Sequence, residues 1–236
     1  AYIAQYSEDD LQNKAIAAEV ALLLLEANNP QEALRILSDA RSDPRRLGQN
    51  DWDEAWIAVQ LALGKTDAAQ AHRWACFEQR LSVPHLRAYL KQLPDFEDIE
   101  AEDAARAHLM SHPDVMRALQ FCMDWNDRTT AADLIETRAQ DIDGAWYQVL
   151  SPAADDLCER HPLAATLLWR AMINHALSAD RSARYGHAAQ HLVACATVAP
   201  DITDFGGHGS HDDYLEHLHL RYDNKRSFWD HVARIT

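Results

Sequence analysis

No stretch of the chain comes near the roughly 20 consecutive apolar residues that a helix needs to cross a bilayer, so no helical membrane span is expected. Nowhere do Lys and Arg gather into a basic stripe, and the formal charge is −15. Such a surface repels phosphate backbones and disfavours nucleic acid as a partner of this region, although acidity is also a common solubility device. Glycine and proline are scarce, 7 and 8 in 236 residues, which suits long helices with short connections better than a turn-rich sheet. Alternating β-branched runs bounded by turn pairs, the mark of strands, are missing throughout. The four cysteines, Cys76, Cys122, Cys158 and Cys195, contain no C-x-x-C pair and read as buried thiols in a reducing compartment. The N-terminus lacks the basic and apolar regions of a signal peptide, so the expected location is the cytoplasm. Glycine-rich phosphate loops, nucleophile elbows and paired carboxylates in a shared apolar setting are also lacking, so no catalytic residue and no cofactor is expected.

What is present is helix-forming sequence. Hydrophobic residues make up 47% of the chain, enough for one large core or two smaller ones. From Ile16 the apolar positions Val20, Leu23, Leu24 and Ala27 recur at helical spacing until Asn28-Asn29-Pro30 ends the run. Pro30 suits the first turn of the next helix, which carries Ala33, Leu34, Leu37 and Ala40 and stops before Asp43-Pro44. The unit recurs: Trp52, Trp56, Val59 and Leu63 form a stripe, Gly64 breaks it, and Ala68, Ala71, Trp74, Phe77 and Leu81 follow. The two breaks, Asn28 and Gly64, lie 36 residues apart, close to the tetratricopeptide period of about 34. Ala188, Leu192, Cys195 and Pro200 echo the second-helix pattern after a helix from Pro162 to about Leu177.

The middle is less regular. Helices are predicted at His85–Leu93, Asp103–Met110, Pro113–Trp125, Thr130–Gln140, Gly144–Leu150 and Pro152–Glu159. A long loop is expected from Pro200 to Ser210, where Gly206-Gly207-His208-Gly209 precludes a regular helix. A final pair, His211 to about Asp223 and Ser227–Ile235, closes the chain, docked by Phe228 and Trp229. The predicted fold is all-α: tetratricopeptide-like helical-hairpin repeats forming an α-α superhelix, or solenoid. Residues 1–96 hold the regular repeats and 97–236 irregular ones with the C-terminal pair, in one continuous array. Opening on Ala1, almost directly before a repeat helix, the chain reads as a fragment of a longer protein.

The segments Trp74-Ala75-Cys76-Phe77-Glu78, Leu81-Ser82, His85-Leu86-Arg87-Ala88-Tyr89-Leu90-Lys91 and Leu93-Pro94-Asp95-Phe96 resemble an uncharacterised bacterial family of helical-repeat proteins, a domain of unknown function. His161-Pro162-Leu163-Ala164-Ala165-Thr166-Leu167-Leu168, Arg184-Tyr185 with His187-Ala188-Ala189, and the tail from Lys225 to Trp229 fit the same pattern. The resemblance covers nearly the whole chain and implies a fold without a mechanism. Family members are longer at the N-terminus, which agrees with the fragment reading. One departure is Gly186, where the family pattern has a basic or polar residue, so a ligand contact from that position is in doubt.

Several side chains are candidates for a site. Arg181, Arg184 and Tyr185 enter the helix bearing His187 and His191, placing guanidinium groups and amide donors where an anion is favoured. They could hold a carboxylate, such as the end of a partner peptide; the plainer alternative is that the arginines pair with Asp180 or neighbouring carboxylates. His187 and His191 are four residues apart on one helical face, the spacing for two metal ligands. The residue after His187 is Ala188 rather than the Glu of a zinc peptidase helix, so that chemistry is excluded. His208, His211, His217 and His219, with Asp212 and Asp213, crowd the C-terminal region; His208 and His211 flank the glycine turn. Seven tryptophans fall mostly within apolar stripes and read as core.

The leading functional reading is a protein-interaction or scaffold module that binds a peptide or helix on a concave helical surface, without membrane or nucleic acid. The overall acidity favours a basic or amphipathic partner. A metal-binding regulator or metal-dependent enzyme using His187, His191, His208 and His211 is the alternative, and requires these residues to converge. A third reading makes the chain a structural appendage to a functional domain N-terminal to it.

Overall fold

The computed structural model describes residues 6–41 and 47–235. Ala1 and the Asp43-Pro44 stop lie outside the described residues. Thirteen α-helices and several short 3-10 turns account for the regular structure among them, with one isolated parallel bridge between Asn13 and Arg41 and no strand. No described helix is long and apolar enough to cross a membrane. The chain divides into two compact units, residues 1–102 and 103–236.

In the first unit, α1 (Lys14–Glu26) packs on α2 (Pro30–Asp39) and α3 (Gln49–Ala62), α3 on α4 (Thr66–Arg80), and α4 on α5 (Val83–Leu90). Asn13 caps α1 by accepting from the amides of Ala15 and Ile16, and Pro30 opens α2 where its missing N–H costs nothing. Small residues, Ala17, Ala18 and Ala21 on α1 with Ala33 and Ala55 opposite, let the helices approach, and Leu24, Ile36, Leu37 and Val59 fill between them. Gly48, at φ +69°, sits so close to Ala15 that a Cβ would lie 2.6 Å from its Cβ, which fixes how α3 enters the core. The register of α4 differs from expectation: Ala68 and Ala71 are exposed, and Ala69, Cys76 and Phe77 are buried. The cause is that α4 also turns a polar row, His72 and Arg80, toward α3.

α6 (Glu97–Ser111) spans the boundary between the units. It begins at the acidic Glu97-Asp98 start read from the sequence, where Glu97, Asp98 and Glu100 complement a helix N-terminus, and runs unbroken through the helix predicted at Asp103–Met110. In the second unit α7 (Val115–Trp125) and α8 (Arg128–Thr137) are capped by Asp114 and Asp127, whose carboxylates accept from the amides of Arg117 and Thr130. Then come α9 (Tyr147–Leu157), α10 (Pro162–Ser178), α11 (Tyr185–Val198), α12 (His211–Tyr222) and α13 (Arg226–Ile235). α10 is the axis of this unit: it packs on α8, α9 and α11, and α13 covers α11. Two helices were expected around Pro152, but α9 runs through it. Leu150, Ala153, Ala154 and Leu157 make one buried stripe across the proline, and that burial outweighs the lost backbone bond. Gly144 is required where the chain approaches α10, since a Cβ there would strike the carbonyl of Ala171.

The segment from Pro200 to Ser210 contains two 3-10 turns, Ala199–Asp201 and Gly206–His208. The buried guanidinium of Arg170 pins it: Nη1 donates to the carbonyls of His208 (3.0 Å) and Gly209 (3.1 Å), and Nη2 to that of Ser210 (3.0 Å). Phe228 on α13 is fully buried with its ring edge-on to Tyr185, a burial that stabilises the C-terminal pair by about 1.5–3 kcal/mol. Trp229 is half-buried, donates to the carbonyl of Tyr222 and stacks on His219. The tryptophans are not uniformly core: Trp169 is buried, Trp52, Trp56 and Trp74 are half-buried, and Trp146 is 50% exposed. Three thiols are buried, whereas Cys158 is only partly so.

Candidate functional site

The turn joining α10 to α11 shapes a cleft in the second unit. α10 ends with Asp180 in the left-handed region (φ +55°), a conformation acidic and amide side chains tolerate. The amide of Arg181 donates back to the carbonyl of Ala176 at 2.9 Å and that of Asp180 to Leu177, the pairing of a Schellman C-terminus. The Asp180 carboxylate is then held by Lys225 Nζ (2.6 Å) and the Tyr185 hydroxyl (2.9 Å), and these hydrogen bonds, Lys225 first, keep its carboxyl below the ordinary value. With Asp180 so occupied, the 3-10 turn Ser182–Arg184 presents both arginines to the cleft.

The cleft has a volume of about 700 Å³. It is lined by Gly144, Tyr147 and Ser151, by Met172 and His175 of α10, by Asp180, and by Arg181, Arg184, His187 and His191. The Arg184 guanidinium lies 3.6 Å from the centroid of the Tyr147 ring, a cation–π contact that orients it. Among the described residues neither Arg181 nor Arg184 forms an ion pair. Burial, then the neighbouring His187, lowers the pKa of His191 against the opposing charge of Asp155, so its neutral form is favoured. The arrangement offers two guanidinium groups and three imidazoles to a ligand with negative charge or several acceptors, on a chain whose net charge is −15.

Four of the five residues singled out for binding, Arg181, Arg184, His187 and His191, line one cleft. Tyr185 does not; it is buried below, bonded to Asp180 and packed on Phe228. Gly186 faces α13, its nearest neighbour to a Cβ being the His231 ring at 3.9 Å. His208 and His211 lie on the pinned loop and at the start of α12: His208 Nε2 is 3.0 Å from the carbonyl of Glu136, and His211 Nδ1 is buried without a partner. No three of His187, His191, His208 and His211 bring their ligand atoms together among the described residues, so the convergence that a shared metal needs is lacking.

A second polar cluster, in the first unit, was not singled out from the sequence. Asp53 of α3 is 1% exposed and accepts at Oδ1 from Gln49 Nε2 (2.9 Å), with His72 Nε2 also 2.9 Å away, while Oδ2 accepts from Arg80. Lys14 Nζ donates to Gln49 Oε1 at 2.7 Å and lies over the Trp52 ring, which stacks on Trp56. Burial works to raise the Asp53 carboxyl, but the His72 bond, the Arg80 charge and the Gln49 bond together hold it below its ordinary value. Cys76 stands beside this group, its thiol pushed up to about 11 by burial and then by the Asp53 charge, so it is not a ready nucleophile. His85 Nδ1 is 2.6 Å from Ser82 Oγ, while its buried Nε2 faces Glu54 Oε1 at 3.4 Å. The sequence signal is visible in retrospect: His72, Cys76 and Arg80 follow at every fourth position of one helix, facing Gln49 and Asp53 at the same spacing on its neighbour.

The chain belongs to a family of unknown function (DUF6880), whose model matches residues 1–231. No curated protein and no solved structure matches it.

Proposed function

We propose that this is a cytoplasmic protein-interaction module, each unit a tetratricopeptide-like stack of helix pairs, and that the cleft between α9, α10 and α11 receives the C-terminal carboxylate of a partner peptide. The observation that carries this reading is the pair of guanidinium groups, Arg181 and Arg184, left without carboxylate partners at the mouth of a cleft of about 700 Å³. That volume lies within the usual range of about 300–1,000 Å³ for ligand sites and accommodates a few terminal residues. Bidentate arginine–carboxylate pairing supplies orientation as well as energy. The chain as a whole carries a formal charge of −15, so the segment behind the carboxylate is favoured when basic or amphipathic. The two demands select one class of ligand: a basic or amphipathic tail ending in a free carboxylate.

The test is an array of basic and amphipathic peptides, each synthesised with a free and with an amidated C-terminus, probed with the protein and with its Arg181→Gln and Arg184→Gln variants. Binding that needs the free terminus and falls about tenfold or more in either variant is expected, corresponding to loss of a charge-assisted hydrogen bond. Binding that ignores amidation would remove the carboxylate from the reading. A surface-wide interaction would show itself by tolerance of both variants.

A further inference from the structure

The geometry points to a transition-metal site in the first unit, independent of the cleft: Asp53 Oδ1, His72 Nε2 and Cys76 Sγ hold one divalent ion of the zinc class, with water completing the tetrahedron. The ligand atoms of Asp53, His72 and Cys76 all lie within 4.8 Å of one another, and no other three-residue set of His, Cys, Asp and Glu among the described residues does so. In a tetrahedral zinc site with bonds of about 2.0–2.3 Å, ligand atoms stand roughly 3.3–3.7 Å apart, so small side-chain adjustments close the set. A thiolate, an imidazole and a carboxylate together suit zinc, and exclude the all-oxygen preference of magnesium or calcium.

The cluster is more than a buried ion pair. Arg80 and Gln49 already satisfy Asp53, and neither Cys76 nor His85 is needed to neutralise it. His85, 6% exposed, lies outside this set, its Nε2 3.4 Å from Glu54 Oε1. Arg80 on Oδ2 and Gln49 on Oδ1 are the outer contacts that aim the carboxylate.

On binding, the metal–sulfur bond replaces the S–H bond of Cys76 and that proton passes to water. His72 gives up its hydrogen bond to Asp53 and presents Nε2 as a neutral ligand, with its remaining proton on Nδ1. No oxidant or reductant takes part.

The probe is cobalt(II) alone, titrated into chelator-stripped full-length protein and read by absorption. One equivalent is expected to produce the visible bands of tetrahedral cobalt together with a thiolate-to-cobalt charge-transfer band. The charge-transfer band should vanish in Cys76→Ser and persist in Cys158→Ser, whose thiol is the partly exposed one. His72 has a side chain 21% exposed, so His72→Asn serves as a second variant if Cys76→Ser fails to fold; cobalt affinity should fall at least about tenfold. Absence of the charge-transfer band in the unaltered chain, its survival in Cys76→Ser, or full affinity in His72→Asn would overturn the site.

Discussion

Replacing Arg170 by Met keeps the apolar stem and deletes the guanidinium, which isolates what that group does for the C-terminal part of the second unit. Arg170 is 5% exposed, donates to three consecutive carbonyls of the glycine loop, and lies 4.5 Å from the centroid of the Tyr214 ring and 5.7 Å from that of Phe205. Its Nε is buried without an acceptor. Three hydrogen bonds from a charged donor, at about 1.5–3 kcal/mol each, would suggest a gross loss of about 5–9 kcal/mol. Burying a guanidinium with no carboxylate against it costs several kcal/mol, however, and Met is spared that cost. The carbonyls of residues 208–210 are only half-buried and recover part of their bonding from water. The expected net destabilisation is therefore about 2–4 kcal/mol, read as a lowered urea midpoint with unchanged slope. Amide exchange should accelerate first between residues 206 and 214, before α8 or α9 responds. Arg170→Lys keeps the charge without the fork and should fall between the two proteins. A Met variant as stable as the parent, with unchanged exchange in the loop, would refute the idea that this guanidinium pins it.

In chelator-treated protein, Asp53→Asn should cost about 3–5 kcal/mol, because the part-buried Arg80 and the buried Lys14 lose the buried carboxylate they flank. The pH dependence has a definite sign. The Asp53 carboxyl is held below its ordinary value of 3.8, so its stabilising contribution is present above that pH and is lost as pH falls through the lower folded-state value. Thermal midpoints measured from pH 6 downward should show this acid-side loss reduced in the Asn variant. For the cleft, His191 is shifted below its ordinary 6.5, chiefly by burial, and a bound carboxylate favours its protonated form. Peptide affinity measured calorimetrically should therefore rise about two- to fivefold as pH falls below 6.5, and His191→Gln should flatten that rise.

The helix pairs at either end of the chain are legible because their signals are local. Asn28-Asn29-Pro30 and Gly64 stop helices through backbone geometry alone, and the apolar stripes of α1 and α2 repeat at the right interval. The same local logic fails at Pro152, where a stripe buried against α10 carries the helix through a residue that normally ends one. Arg181, Arg184, His187 and His191 could be picked out together because three successive helical turns and a short entry turn place them within a dozen residues. Tyr185 was grouped with them by proximity in sequence, yet helical rotation turns it inward to Asp180 and Phe228. Asp53, His72 and Cys76 come from two helices, and only the packing of α3 on α4 reveals that they share one neighbourhood. Arg170 was hidden differently: in a run of otherwise apolar residues its charge reads as an interruption, and its partners are backbone carbonyls with no sequence signature.

The most direct measurement is a crystal structure of the protein with a tight-binding peptide from the free-terminus array. The expected result is a terminal carboxylate about 2.7–2.9 Å from a guanidinium of Arg181 or Arg184, with the preceding residues between Tyr147 and His187. A peptide seated elsewhere, or in the cleft with its terminus in solvent, would contradict the proposal that these arginines read a carboxylate.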